Sequence, residues 1–237
     1  NRTIVLGFAV LAGIAMLSMS HINRENSTKS YFGEGLQLRK DDRLLNDKLA
    51  GTNTLYVVFQ GAHADHMKDP AVLRAIEEAQ SFIATLPEVG KTISMVDLLK
   101  QMNRAMNSGD ANFYAIPSSA DLVSQYLLLY AMSGQPTDFD AYIDYPYQNA
   151  NLLVWTKNDS SKYAESLVSQ IRQHIEPRLP AGVRIQIGGS VPQTSALSES
   201  MVNGKAMNIA QVMGFVFVAG ALVFRSLVAG IYLVLPL

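Results

Sequence analysis

Two histidines and two aspartates lie close together in the segment GAHADHMKDP, namely His63, Asp65, His66 and Asp69. These residue types can bind zinc, but their spacing matches no standard zinc motif. The segment also falls where a strand is predicted to turn into a helix. We therefore interpret it as a solvated loop in which Asp69 stands near a helix N-terminus, where negative charge is favourable, and we predict no metal site.

Other patterns that could support chemistry are incomplete. Gly188-Gly189-Ser190 lacks the lysine of a P-loop and the spacing of a dinucleotide fingerprint, so tight backbone geometry explains it better than phosphate binding. No G-x-S-x-G nucleophile elbow occurs, and the absence of cysteine excludes thiol chemistry and disulfides. We therefore predict no catalytic residues and no cofactor, and we do not expect an enzyme.

Apolar residues are concentrated at the two ends of the chain. Residues 4–19 (IVLGFAVLAGIAMLSM) and 206–224 (AMNIAQVMGFVFVAGALVF) carry no charge. At about 1.5 Å per helical residue, each run approaches the roughly 30 Å thickness of a bilayer's hydrocarbon core. We therefore predict transmembrane helices over residues 3–20 and 205–224. The alternatives are a cleaved signal peptide for the first run and a buried core helix for the second.

The flanks of these two runs predict an orientation. Arg2 and Arg225 lie just outside them, and basic residues favour the cytosolic side, so residues 21–203 are expected outside the cytosol. Residues 227–237 are again apolar, which predicts the start of a further, truncated transmembrane helix in a piece of a longer polypeptide. The formal net charge of -1 provides no basic surface for nucleic acid, so no nucleic-acid partner is expected.

The stretch between the apolar runs has the pattern of an α+β domain that follows a short helix around residues 41–50. The predicted order is a strand at 54–60, a helix from Pro70 and a strand at 89–95, then a strand at 150–156, a helix at 161–175 and a strand at 183–187. The apolar faces of the two helices are expected at Val72, Ile76, Ala79, Ile83 and Leu86, and at Tyr163, Leu167, Ile171 and Ile175. Two β-α-β units predict a ferredoxin-like sandwich.

An insertion over residues 97–147 separates the two units, and we predict helices in it near 97–107 and over 118–132. The second helix is apolar over most of its circumference, since its apolar side chains cannot share one stripe. It is either buried on several sides or it lines a surface for an oily ligand or a neighbouring domain. For the second case we predict that Tyr126, Leu129 and Tyr130 line a substrate path.

Four stretches together resemble half of a transporter of the resistance-nodulation-division superfamily, in particular its MMPL-type exporters. They are NDKLAGTNTLYVVFQG, the pair Asp69-Pro70, GGSVPQTSALSESMVNG and VFRSLVAGIYLVLPL. In that superfamily each half has one transmembrane helix, then a porter domain of β-α-β units, then a block of further helices. The resemblance covers nearly the whole chain and is greater to the second-half repeat than to the first.

The resemblance implies that the chain belongs to a multi-pass exporter of the bacterial inner membrane, driven by the proton gradient and moving hydrophobic or amphipathic molecules such as lipids or drugs. Residues 21–203 would then be a porter domain in the periplasm. The partners implied are membrane lipid, the remaining transmembrane helices and the other porter domain of the same polypeptide, the substrate, and a homo-oligomer or a periplasmic accessory protein. The family's proton-relay acids lie in a later helix, so none is assigned here.

The alternative function is an extracytoplasmic ligand-sensing domain of a membrane signalling protein. Sensors usually continue from their second span into a charged cytosolic helix. Here the chain turns after Arg225 and Ser226 into another apolar segment, which favours the transporter.

Overall fold

The computed structural model describes residues 27–133 and 139–235. It contains a four-stranded antiparallel sheet with the strand order β2-β3-β1-β4. In chain order the helices and strands are α1 (Gln37–Lys48), β1 (Asn53–Gln60), α2 (Pro70–Ala84), β2 (Val89–Ile93), α3 (Met95–Met106), α4 (Ala120–Ser133), β3 (Asn149–Thr156), α5 (Ser161–Ile175), β4 (Arg184–Gly189), α6 (Ser190–Val223) and α7 (Leu227–Val234). The predicted transmembrane helix over residues 3–20 lies outside the described residues.

The sheet combines the two predicted β-α-β units, and its strand order is that of a ferredoxin-like split β-α-β arrangement. Side chains alternate along the central strand β1, where Leu55, Val57 and Phe59 are buried while the residues between them are half-buried. Its antiparallel partner β3 places Val154 opposite Leu55 and Leu152 opposite Val57, so both strands bury the same face. The predicted strands of both units are confirmed.

Helices α2 and α5 contribute their apolar stripes to the same core as this face. The stripe of α2 contains Val72, Ile76, Ala79 and Ile83, and that of α5 contains Leu167, Ile171 and Ile175, all of them buried as expected. Leu86 was expected on the same face of α2, but it lies beyond the end of that helix and is half-buried. Tyr163 differs from the prediction, because it is half-buried at the margin and its hydroxyl donates to the carbonyl oxygen of Pro87 at 3.0 Å. Ala164 takes the buried position beside it.

The second strand is shorter than predicted because a helix cap ends it. The Ser94 hydroxyl accepts from the backbone N–H of Val96, and the Asp97 carboxylate accepts from the backbone N–H of Ser94 at 2.9 Å, which forms a capping box for α3. Residues 94 and 95 therefore belong to the start of the helix rather than to β2. Ser94 also donates to Gln80 of α2 at 2.6 Å, which ties the insertion to the covering helices.

The predicted fold class, a membrane protein segment with transmembrane helices flanking the domain, is wrong for the residues that the structure describes. Residues 205–224 do lie almost entirely in a helix, α6, but across residues 27–133 and 139–235 no helix combines the length and the apolar character needed to cross a bilayer. Asn208 and Gln211 interrupt the apolar run of α6. The uninterrupted part, residues 212–223, rises only about 18 Å, well short of a hydrocarbon core of roughly 30 Å.

The stretch predicted to be the truncated start of a further span is helical over most of its described residues. Residues 227–237 contain α7, whose eight residues rise about 12 Å. The described chain is instead an α+β domain from which α6 extends and folds back into α7. The transmembrane helices predicted within the described residues are therefore not found there.

Candidate functional site

The inserted helix α4 carries all three residues predicted to line a substrate path. Its start is capped by Ser119, whose hydroxyl accepts from the backbone N–H of Leu122 at 3.2 Å. Beyond the cap, Val123, Tyr126 and Leu127 are buried in the hydrophobic core. One face of α4 is thus held in a fixed position, whatever the opposite face contacts.

Tyr126 is an internal anchor of this helix. Its ring is buried, and its hydroxyl donates to Oδ1 of Asn103 at 3.0 Å. Asn103 lies in α3 and in turn donates from Nδ2 to the carbonyl oxygen of Ala115 at 2.9 Å. A buried hydroxyl needs such a partner, so Tyr126 connects α4 to α3 rather than presenting its ring at the surface.

Tyr130 lies one turn further along the same face. It is half-buried, and its ring meets Phe139 edge to face with 4.3 Å between the ring centroids. Phe139 itself packs against the core. Aromatic pairs in this geometry contribute about 0.5–1.5 kcal/mol beyond the area they bury, so Tyr130 helps to hold the end of α4 against residues that precede β3.

Leu129 is the most exposed of the three predicted residues. It is 42% exposed and shares one side of the helix with Leu128 at 61% and Met132 at 79%. We call these three residues the α4 outer face. An apolar surface on a helix whose other side is anchored can contact an oily molecule without reorganising the domain.

The positions of Tyr126 and Tyr130 could have been inferred from spacing. Val123, Tyr126, Leu127 and Tyr130 follow the i, i+3, i+4, i+7 pattern of a single buried stripe. Leu128, Leu129 and Met132 fall outside that stripe. The sequence predicted the apolar excess of α4, but the predicted lining residues did not include Leu128 and Met132.

The histidine-aspartate segment is a loop with local structural contacts. The backbone N–H of Ala62 donates to Nδ1 of His66 at 3.0 Å, and the Asp65 carboxylate pairs with Lys68 at 2.7 Å. Asp69 caps α2 by accepting from the backbone N–H of Ala71 at 2.7 Å, as its place near a helix N-terminus predicted. Each of these groups is engaged with its own loop or helix.

The glycine-serine turn has the tight backbone geometry that was predicted. Gly189 has a φ of 108°, and a Cβ added there would lie 2.6 Å from the carbonyl oxygen of Thr54. Ser190 follows directly as the first residue of α6, and its hydroxyl accepts from the backbone N–H of Thr54 at 3.1 Å. The glycine therefore permits β4 to pass directly into α6 while both stay against β1.

A polar groove of about 460 Å³ lies at the far side of the domain, beside α1. Basic and acidic side chains line it in equal number: Lys29, Arg39, Arg43 and Lys157, and Asp42, Asp47, Glu88 and Asp159. Burial raises the pKa of Asp42, but hydrogen bonds from Lys29 and Thr52, together with the positive charges of Lys29 and Arg39, outweigh it and hold that pKa below its usual value. The balanced charges do not select an anion or a cation.

No family model matches the chain, and no curated protein matches it in sequence. The resemblance to MMPL-type exporters therefore remains a hypothesis that depends on the four stretches quoted above.

Proposed function

We propose that this domain handles hydrophobic or amphipathic molecules as the porter domain of an exporter similar to the MMPL type. The observation that carries the proposal is the α4 outer face, an exposed apolar surface on a helix that is anchored from behind by Tyr126 and Tyr130. Such a surface offers an oily substrate a place to bind at little reorganisation cost.

The strand order supports the same assignment, because a porter domain of that superfamily is built from β-α-β units. The second face of the sheet adds to it. Tyr56, Val58, Leu153 and Trp155 on that face are only half-buried, so the domain retains a surface for a neighbouring domain of the same polypeptide. We assign only substrate handling to this domain, on the periplasmic side, and the passage through the bilayer to other parts of such an exporter.

The continuity of β4 with α6 is a further supporting feature. Ser190 binds the backbone of Thr54 in β1, and the helix then runs without a break to Val223. A displacement of the sheet is therefore passed along one rigid element. This is the mechanical connection that a porter domain needs if its movements are to be coupled to the remainder of a transporter.

The test is efflux of N-phenyl-1-naphthylamine, an oily fluorescent probe, from cells that carry the full-length protein. We expect Leu129→Asp to reduce efflux, because a charge on the α4 outer face repels an apolar molecule while leaving the anchored side intact. Protein level and melting temperature are measured for each variant before efflux is compared.

The matched control is Leu38→Asp, which places the same charge on a leucine of α1 that is likewise exposed. Efflux retained by this variant and lost by Leu129→Asp at equal level and stability supports the proposal. Equal efflux in both variants and in the parent protein would show that the α4 outer face does not contact substrate.

A further inference from the structure

The histidine-aspartate segment, residues 61–70, contains a hydrogen bond that only a neutral histidine can accept. Nδ1 of His66 accepts from the backbone N–H of Ala62 at 3.0 Å. A ring nitrogen that accepts a hydrogen bond carries no proton, whereas both ring nitrogens of a charged histidine are donors. Protonation of His66 therefore sets a donor against the Ala62 N–H and breaks the bond.

A second histidine opposes the same protonation. The rings of His63 and His66 are stacked, with 4.5 Å between their centroids and 13° between their planes. Nδ1 of His63 lies 2.7 Å from the carbonyl oxygen of Ala64, so it is a donor, and this contact is kept when His63 becomes charged. Two positive rings at the stacking distance repel each other. Acid therefore weakens the closed segment at both rings.

We propose that the histidine-aspartate segment is an acid-sensitive latch, which is closed while His66 is neutral and opens when His66 takes up a proton. Histidine suits this role because an unconstrained imidazole changes its charge between about pH 5 and pH 8. The inference concerns the segment itself and holds whichever molecule the domain handles.

The charged groups nearest in the chain are engaged with other partners. Within the segment, the Asp65 carboxylate pairs with Lys68 at 2.7 Å, and Asp69 accepts from the backbone N–H of Ala71. In the adjoining residues 144–148, the Asp144 carboxylate accepts from backbone N–H groups of its own turn, and the Tyr147 ring lies under Lys68. These groups therefore do not compensate a charge on His66.

The elements packed against the turn His66–Lys68 are β3, α2 and α4. Neither β3 nor residues 180–183, which approach His66 through Gly182, have a titratable side chain, and the next charged residue is Arg184. The charged side chains of the two helices are Arg74, Glu77 and Glu78 in α2 and Asp121 in α4. Among the described residues none of these forms an ion pair with His66; Glu77 and Glu78 pair with Lys100 and Arg178. A charged His66 is therefore left uncompensated in the closed segment.

Opening of the segment would release contacts that support α4. The segment donates three backbone hydrogen bonds to residues that precede β3: Gly61 to Gln148 at 2.8 Å, Asp65 to Pro146 at 2.9 Å and Met67 to Tyr147 at 3.0 Å. Met67 is fully buried in the same core as Val123 and Leu127 of α4. Protonation of His66 therefore loosens α4 from its buried side.

Hydrogen–deuterium exchange of the 237-residue chain tests the latch at about pH 7.5 and about pH 5, between which an unconstrained histidine gains its charge. Rates are corrected for the intrinsic pH dependence of amide exchange. We expect the amides of Asp65 and Met67 to lose about tenfold in protection in acid, because protonation favours the open segment. The amide of Val57 in β1 should keep its protection, which separates local opening from global unfolding.

The decisive variant is His66→Asn, because Oδ1 of asparagine can accept from the Ala62 N–H in place of Nδ1 and takes up no proton. We expect its segment to be equally protected at both pH values. The matched control is His174→Asn, since this half-buried histidine stacks on Phe82 of α2 with 3.6 Å between the ring centroids. This variant should respond to acid like the parent chain.

A second variant, His63→Gln, keeps the bond from Ala62 to His66 but removes the stacked charge, so its loss of protection in acid should be smaller than the parent's. If His66→Asn lacks the parent's urea midpoint at neutral pH, His63→Gln decides alone. A loss equal to the parent's in the deciding variant would overturn the inference. A parent segment that keeps its protection in acid, or loses it together with Val57, would overturn it as well.

Discussion

Helices α2 and α5 and the helix pair α6–α7 are both rich in apolar residues, yet they bury them very differently. Ile76 in α2 and Ile171 in α5 are 1% and 0% exposed. In α6 the residues Leu222 and Val223 remain largely open to solvent. The difference lies in the opposite side of each helix, because α2 and α5 have a polar face and α6 beyond Gln211 has none.

A polar face identifies the side of a helix that needs no partner, and so it identifies the side that does. An apolar circumference shows only that partners are needed and leaves their position open. The sheet supplies the partner of α2 and α5 within the described chain. For α6 the described residues supply α7 on one side only, and Phe215, Val218 and Leu222 on the other side remain exposed.

The largest expected effect comes from truncating a buried isoleucine of α2 or α5. Ile76→Ala or Ile171→Ala should lower the free energy of unfolding by about 2–5 kcal/mol, because each leaves a cavity in a closely packed core. Urea unfolding followed by the fluorescence of Trp155, the single tryptophan, measures the loss.

Val223→Ala is the matched control on α6, and we expect a change within about 0.5 kcal/mol for this exposed residue. A loss below about 0.5 kcal/mol in both isoleucine variants would show that α2 and α5 do not cover the sheet as described. A large loss in Val223→Ala would show instead that this end of α6 is covered in the purified chain.

The junction between the two regions gives an intermediate effect. Gly189→Ala should destabilise the protein by about 1–3 kcal/mol, since the residue needs a positive φ and the added methyl group meets the backbone of Thr54. Gly188→Ala is the control, because a Cβ at that position meets nothing within 4 Å and its φ is not positive. If thermal unfolding shows equal melting temperatures for the two variants, the close approach of α6 to β1 is incorrect.

The smallest effect is expected at α1, which buries no residue and is held by polar contacts. The Asp42 carboxylate lies 2.8 Å from Nζ of Lys29 and accepts from the Thr52 hydroxyl at 2.8 Å. Asp42→Asn should cost about 0.5–1 kcal/mol at neutral pH, the size of a solvent-accessible ion pair.

The pH dependence of that loss is a sharper test. Because the folded-state pKa of Asp42 is below its usual value, its contribution is present at pH values above that usual value and is lost as the pH falls through the folded-state pKa. Urea unfolding at a series of pH values should therefore show the difference between parent and Asp42→Asn shrinking in acid. A difference for Asp42→Asn that persists in acid would exclude the ion pair as its cause.

Local patterns were sufficient for much of the fold. Alternation in β1 and β3 and the apolar stripes of α2 and α5 predicted which face each element buries. The buried residues recur at every second position in a strand and at every third or fourth position in a helix. Asp69-Pro70 predicted the start of α2 for an equally local reason, since the cap and the first turn involve only adjacent residues.

The candidate site was predicted only in part. The sequence predicted the apolar excess of α4, but the hydrogen bond from Tyr126 to Asn103 and the contact of Tyr130 with Phe139 join residues that are 23 and nine positions apart in the chain. Such contacts turn two of the three predicted surface residues inward. The distinction between an anchored and an exposed apolar residue is therefore made by the neighbouring elements, not by the helix itself.

The sequence by itself determined the β-α-β order, the strands, the amphipathic faces of the covering helices and the concentration of apolar residues near the ends, because each depends on residues a few positions apart. Only the tertiary structure decided the sheet order, the inward position of Tyr126, and how far the apolar run of α6 remains exposed beside α7. The length of the uncharged runs overpredicted membrane helices among the described residues. That length takes no account of the polar residues Asn208 and Gln211 within α6, or of the neighbouring helices that cover its apolar side chains. Burial is a property of pairs of elements, and a pair exists only once the chain has folded.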